Sequence, residues 1–261
     1  MSKEKNYLNE LLKNNYREDG RKLNEFRELS METNVIPQAN GSARVKIGKT
    51  EIIAGVKFGT GTPYPDTPNE GMFMVNMELH PMSNEDFSHG PPSPEAIEIS
   101  RVIDRAIRES KTVDFEDLCI RPGELAWSLS VDIYPINADG NLFDAGVIAA
   151  LLAIKTAKFP EIDKETDKVL HDTRTKKGLE LKNVPVMVTV AKIGDSLVLD
   201  PNYEEEKIMD ARVHIATIDN GNICAMQKGG SKSIKIEELK NAIELSGNKG
   251  KELRKLIKSI K

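Results

Sequence analysis

Residues 125–158 read LAWSLSVDIYPINADGNLFDAGVIAALLAIKTAK, and the reading of the fold starts there. Leu125, Trp127, Leu129, Val131 and Ile133 alternate with Ala126, Ser128, Ser130, Asp132 and Tyr134. A period of two marks a strand with one face buried. From Val147 to Ala157 the chain is too continuously apolar for a surface helix, and its alanines favour helix. A helix buried on most sides is therefore predicted, capped by Asp144 and ended by Pro160. Between strand and helix lies the turn Asp139-Gly140-Asn141.

A strand, a glycine turn and the first turn of a buried helix form a natural anion seat, because free backbone N–H groups and the helix dipole point at it. The side chains decide whether the seat is used. Here Gly140 is followed by Asn141, Leu142, Phe143 and the carboxylate Asp144. No Lys, Arg, hydroxyl or second glycine stands where a phosphate would be cradled. A structural turn is the better reading of these residues, and a site the alternative.

With 261 residues, 39% of them hydrophobic, the chain can build one large domain or two smaller ones with real cores. A net charge of -4 provides no global field for nucleic acid, so any such contact must come from a local basic patch. Cys119 and Cys224 stand far apart and form no C-x-x-C pair, which points to a reducing compartment and away from disulfides or structural zinc. No apolar run reaches about 18 residues. Met1-Ser2-Lys3-Glu4-Lys5 leads into no signal-peptide core, and a soluble cytoplasmic protein without membrane contact is expected.

Along the chain, Tyr7, Leu8, Leu11 and Leu12 have the spacing of a short amphipathic helix that packs on the body or on a partner. Arg17-Glu18-Asp19-Gly20-Arg21 reads as a solvated, charged connector. Ala43, Val45 and Ile47 alternate up to Gly48-Lys49, and Ile52, Ala54, Val56 and Phe58 alternate on the return, which predicts a hairpin. Two loops rich in proline and glycine, 59–71 and 83–94, flank a strand over 72–79, where Phe73 or Met72, if exposed, is a candidate partner contact, the interface itself not being placed by the sequence. Ser93-Pro94-Glu95 then starts a helix whose apolar face is Ile99, Val102, Ile103, Ala106 and Ile107. Arg101, Arg105 and Arg108 share the opposite side. They could read a phosphate backbone, or Glu98, Asp104 and Glu109 could neutralise them as ordinary helical ion pairs.

After a polar connector over 160–183, the chain starts again. Residues 192–199, KIGDSLVL, echo 46–53, KIGKTEII, and strands at 212–218 and 223–227 precede a helix at 236–245. Duplication of a strand-rich α+β unit is the economical explanation. Asp200, Glu204, Glu205, Glu206 and Asp210 begin where a strand ends and could hold Mg²⁺ or act as general acid and base, although residues 203–207 also fit a solvated turn. His80, His89, His171 and His214 lack neighbours at metal-ligand spacing and read as structural or exposed.

Asp19-Gly20-Arg21, Gly41-Ser42-Ala43, Tyr64-Pro65-Asp66-Thr67-Pro68, Gly90-Pro91-Pro92, the run from Arg101 to Ser110, Asp139-Gly140-Asn141 and Ala225-Met226-Gln227-Lys228 follow in an order that resembles the RNase PH family over nearly the whole chain. Within that family the chain most resembles the non-catalytic RNase PH-like subunit of the archaeal exosome ring. The resemblance implies an α+β fold, a duplicated β-rich α/β unit with two sheets packed with helices. The expected division is an N-terminal helix and connector (1–25), a first RNase PH-like domain (26–183) and a second (184–261).

Active members, the resemblance implies, degrade RNA from its 3′ end with inorganic phosphate as nucleophile. That chemistry rests on positioning and charge stabilisation, so it needs a phosphate cradle. Their turn carries glycine, a hydroxyl and arginine where this chain has Asn141, Leu142 and Phe143. An arginine pair before the helix is replaced around Pro91 and Pro92, and of the downstream aspartates Asp200 matches, with a glutamate near Glu206 next.

The function so implied is that of a non-catalytic exosome subunit, with no catalytic residue, metal or cofactor of its own. It alternates with a catalytic RNase PH-like subunit in a hetero-hexameric ring, meets RNA-binding cap subunits, and offers Arg101 and Arg105 to single-stranded RNA. The alternative is a self-sufficient phosphorolytic or Mg²⁺-dependent exoribonuclease using Asp200, Glu206 and Asp210.

Overall fold

A computed structural model describes residues 3–163 and 165–260, and the readings that touch Met1, Ser2 and Lys164 lie outside them. In chain order the elements are α1 (Lys3–Lys13), β1 (Leu29–Thr33), β2 (Gly41–Ile47), β3 (Thr50–Gly61), β4 (Met72–Met77), α2 (Pro94–Glu109), β5 (Cys119–Arg121), β6 (Leu125–Asn137) and α3 (Leu142–Thr156). There follow β7 (Glu161–Ile162), β8 (Val169–Leu170), β9 (Val186–Ile193), β10 (Ser196–Leu199), α4 (Tyr203–Ile208), β11 (Ala211–Thr217), β12 (Ile223–Gly229) and α5 (Ile236–Ser259).

The alternation of β6 is realised from Trp127 onward, where Trp127, Leu129, Val131 and Ile133 are buried and Ser128, Ser130, Asp132 and Tyr134 half-buried. At the start of the strand Ala126 is buried and Leu125 only half-buried, the reverse of the expectation. Its buried face makes it the inner strand of a mixed sheet ordered β1-β2-β3-β6-β4, with β5 attached to one end of β6. Every pairing is antiparallel except β4 with β6. A parallel pair needs a crossover, and the segment carrying α2 supplies it. Behind the sheet, Trp127, Phe58 and Phe159 pack with ring centroids 4.5–5.5 Å apart, close enough for each pair to add about 0.5–1.5 kcal/mol to its burial.

A second, antiparallel sheet runs β10-β9-β11-β12, and β7 pairs with β8 in a small ribbon. The β2–β3 and β9–β10 hairpins each turn on a glycine at positive φ, Gly48 at 58° and Gly194 at 60°. Each glycine is the first of two loop residues, where this conformation matches the strand twist. The echo between residues 46–53 and 192–199 is therefore a repeated turn. The next long strand docks beside β3 in one sheet and beside β9 in the other.

Between the sheets lies α3, buried from Leu142 through Ile154 and in contact with β2, β3 and β9. It has no polar face because both sheets cover it. Fully burying each Leu or Ile here is worth about 1.5–3 kcal/mol. The helix sits so close to β2 that a Cβ on Gly41 would lie 2.3 Å from the Ala153 carbonyl oxygen. It ends at Thr156, ahead of Pro160. Its start corrects the expectation of an Asp144 cap: Asn141 is the capping residue, in the left-handed conformation at φ 54°, and Asp144 falls in the first turn. The body also receives α1, whose Leu8 and Leu12 pack on Ala191, Ile193 and Val198 of the second sheet and on Ile208.

Candidate functional site

At the bend before α3, Gly140 has φ 78°, and a Cβ there would meet the Asn202 carbonyl carbon at 2.5 Å. This close approach brings the start of α4 against the start of α3. The Asn141 N–H, one of the donors that would hold an anion, instead donates to Oε1 of Glu206 at 2.9 Å. Its side-chain amide donates to Asp200 Oδ1 (2.7 Å) and Asp144 Oδ2 (2.9 Å). The seat is thus filled by the chain's own carboxylates.

Asp200 is the hub of this network, fully buried and itself at φ 47°. It accepts from Arg27 Nε and Nη2 at 2.9 and 2.8 Å, from the Arg27 N–H at 2.9 Å and from Arg21 Nη1 at 2.9 Å. Arg27 also reaches the Asp139 carbonyl at 2.6 Å, so it clamps the bend from outside. Arg17 donates to both oxygens of Glu205 and to the carbonyls of Leu199 and Asp200. Two expectations are corrected here. The connector from Arg17 to Arg21 is not simply solvated, because Arg17 is buried and Arg21 reaches into the network. The segment 203–207 is not a solvated turn but a capped helix, in which Asn202 and Glu205 cap each other.

The same burial sets the charges. Desolvation pushes Asp144 up to about 7, against the hydrogen bonds from Asn141 and Thr189. Desolvation likewise pushes Glu206 up to about 7, opposed by the Asn141 N–H and the Arg212 charge. Asp200 is buried as deeply, yet the hydrogen bonds and charge of Arg27, with help from Asn141, hold it below the ordinary carboxylate value. Opposite Asp144, the Thr189 hydroxyl lies 2.7 Å from Asp144 Oδ1 and 2.8 Å from His214 Nδ1. Desolvation lowers His214 far below its usual range, and its ring stacks on Phe143 at 3.8 Å. His214 is a fully buried core histidine, held neutral by that burial.

The three carboxylates that might have worked together do not share a site. Asp200 and Glu206 both face Asn141, whereas Asp210 pairs with Lys232 at 3.0 Å and accepts the Gly194 N–H. Among the described residues no group of three His, Cys, Asp or Glu could hold a metal ion.

The helix α2 gives the opposite picture. Ser93 caps it by accepting the Ala96 N–H, Pro94 opens it, and Ala96, Ile99, Val102, Ile103, Ala106 and Ile107 are buried. On its outer side Arg108 is committed: it donates twice to Asp104 and once to the Phe73 carbonyl, and its guanidinium lies 5.4 and 5.3 Å from the rings of Phe73 and Phe115. Glu98 is taken by Arg212 at 2.9 Å. Arg101 and Arg105 are exposed and have no hydrogen-bond or ion-pair partner among the described residues. Helical pairing thus accounts for Arg108 and leaves Arg101 and Arg105 one turn apart and free, on the ridge between a cavity of about 160 Å³ toward β12 and one of about 450 Å³ toward β4.

Of the candidate partner contacts, Phe73 is only 5% exposed because it packs on Phe115, and Met72 is half-buried. Met74, next to Phe73 on β4, is 43% exposed instead. Sequence reasoning read Arg17 only as part of a connector and passed over Arg27 and Thr189. Each bonds a carboxylate 45 to 188 positions away, Arg17 with Glu205, Arg27 with Asp200 and Thr189 with Asp144, so no local pattern could have flagged that role.

Models of the two domains of the 3′ exoribonuclease family, RNase PH, match residues 25–160 and 183–249. The chain is 44% identical over 242 residues to the exosome complex component Rrp42 of Methanothermobacter thermautotrophicus, covering 93% of this chain and 89% of that one. To the Rrp42 component of Methanopyrus kandleri it is 43% identical over 244 residues, covering 92% and 90%. Among solved structures, a chain of the Archaeoglobus fulgidus exosome with RNA bound to the active site superposes with a TM-score of 0.89 at 38% identity, covering 97% and 96%. A chain of rice Rrp46 shares the fold, with a TM-score of 0.70 at 20% identity over 93% and 99% of the two chains. The paired sheets, the helix between them and the order of both domain matches agree, and the chain belongs to the RNase PH family of 3′ exoribonucleases.

Proposed function

We propose that this chain is a non-catalytic subunit of an exosome core, shaping the active site of a catalytic RNase PH-like partner and lending Arg101 and Arg105 to RNA. The observation that carries this reading is the occupied seat at α3, where Glu206 accepts the Asn141 N–H that an attacking phosphate would need. A phosphate there would have to displace Glu206 from that N–H, and Asp200 beside it is already held by Arg27 and Arg21. Relatives and solved neighbours supply the setting, since they are exosome components and an exosome core. In that setting three copies alternate with three copies of the catalytic homologue in a six-membered ring that carries RNA-binding cap subunits. Residues 26–183 and 184–261 act as its two RNase PH-like units after an N-terminal segment, 1–25. No helix among the described residues is long and apolar enough to cross a membrane. The cytoplasm is the working site this reading proposes.

Arg101 and Arg105 serve as the subunit's RNA contacts because phosphate attraction needs guanidinium groups without internal partners. The test supplies single-stranded RNA, phosphate and Mg²⁺ to the purified chain, to the catalytic homologue and to the assembled ring. Nucleoside diphosphates are expected only where the homologue is present. Their release by this chain alone would overturn the reading and favour the self-sufficient nuclease. In the ring, Arg101→Ala with Arg105→Ala is expected to weaken RNA binding and flatten its salt dependence, and unchanged affinity would reduce the two arginines to a structural role.

A further inference from the structure

The strand motif Ala225-Met226-Gln227 has no part in the mechanism above, yet it lies beside the free arginines. The strand β12 is the open edge of the second sheet, and α2 packs against it. Between them is a cavity of about 160 Å³. Its floor is apolar, made by Val102 of α2, Met187 of β9 and Ala225, all nearly buried. Arg101 and Arg105 stand on one rim. Met226, 38% exposed, and Gln227 stand on the other.

We infer that this cavity is a nucleobase pocket, in which a base adjoining a phosphate held by Arg101 or Arg105 packs on Met226 and turns its edge to Gln227. The inference rests on the RNA-binding reading of the two arginines and adds the contact that holds the base. Charge and shape select the occupant. Two unpaired cations beside an apolar recess suit a ligand that is anionic at one end and flat and apolar at the other. The recess is far smaller than the roughly 300–1,000 Å³ of a pocket for a larger organic ligand, and it has room for one ring system. A carboxylate lines it too, but Glu98 is neutralised by Arg212. The thioether of Met226 can lie against a base face, as sulfur does with aromatic rings. The Gln227 amide makes only a long 3.4 Å contact to the Lys228 carbonyl, so it retains donors and an acceptor for a base edge. The larger groove on the other side of the arginines adds the exposed Glu109 beside the Asp104–Arg108 ion pair, which leaves it the less cationic of the two.

The test measures binding of the assembled ring to a short oligoribonucleotide and to a series carrying one abasic ribose at successive positions, by fluorescence anisotropy at fixed salt. Met226→Ala is expected to weaken binding of the intact strand by about three- to tenfold. It should have no effect on the strand whose abasic ribose falls at the pocket. Gln227→Ala is expected to follow the same pattern more weakly, and to change the ranking of A, C, G and U at that one position. The Arg101→Ala, Arg105→Ala ring should lose affinity for intact and abasic strands alike. Equal losses for every strand with Met226→Ala, or none, would overturn the pocket while leaving the arginine reading intact. Unchanged binding by the double arginine variant would instead remove the reading beneath it. If Met226→Ala loosens the ring, seen by sedimentation, and spares RNA affinity, the recess holds a neighbouring subunit's side chain and the inference fails.

Discussion

Replacing Asp200 by Asn keeps the shape of the buried hub and removes its charge. In the native chain the carboxylate is fully buried between the guanidinium groups of Arg27 and Arg21, whose side chains are 8% and 11% exposed. Removing one partner of a buried pair typically costs about 3–5 kcal/mol, because the remaining charge is left without compensation. Arg21 keeps Asp19 at 2.7 Å and Arg27 keeps a longer 3.4 Å contact with Asp139, so the lower part of that range is expected at pH 7. Against a typical total of roughly 5–15 kcal/mol, that is about a fifth or more of the stability. Urea unfolding of the full chain, followed by far-ultraviolet circular dichroism, reads it as a fall in the midpoint with little change in slope. The loss should also depend on pH. Asp200 titrates below its ordinary value in the folded chain, so its contribution is complete above the unfolded value of about 3.9 and fades as the pH falls toward the folded one. The Asn variant should therefore converge on the native protein in acid. A loss below about 1 kcal/mol at pH 7 would place this pair with exposed salt bridges and refute the keystone role.

Two further substitutions separate structure from function. Asp144, pushed up to about 7 by burial, takes up a proton on folding between about pH 4 and 7, so its ionisation erodes stability as the pH rises through that window. Asp144→Asn should flatten the pH dependence of the unfolding midpoint there, and an unchanged profile would show that Asp144 titrates normally. Arg108→Ala should cost about 1–2 kcal/mol through the lost bond to the Phe73 carbonyl and the ring contacts. It should leave RNA affinity of the ring unchanged, and a loss of affinity matching that of the Arg101 and Arg105 variants would refute the split within α2.

Much of the fold is legible because its signals are local. The alternation of β6, the apolar run of α3, the cap of α2 and the glycines of both hairpins each sit within one short window. The arginines of α2 were legible as a stripe, but which of them would be free was not, since that depends on Phe73, Phe115 and Arg212 arriving from elsewhere. The bend at Gly140 was legible as lacking a phosphate cradle. What fills it was not: Arg27 and Asp200 are 173 residues apart, and Asn141 and Glu206 are 65 apart. The Asp144 cap was misplaced for a related reason. An Asp in that position favours capping by propensity, but here its side chain is drawn down to Thr189 on β9, so Asn141 starts the helix in a left-handed turn.

These observations explain why the bend is filled and not merely emptied. The start of a buried helix leaves backbone donors that must be satisfied, whether or not the chain performs chemistry. Where an anion is bound in use, the ligand can satisfy them. Where the cradle is missing, the donors still need acceptors, and α4 brings Glu206 to Asn141 for that purpose. Carboxylates gathered in so small a volume need cations, and Arg27 and Arg21 meet that need at Asp200. The residues that close the seat therefore also join the connector before β1, the bend before α3 and the helix after β10. The same bonds tie the two sheets' loops together, so opening the bend by substitution should weaken the fold.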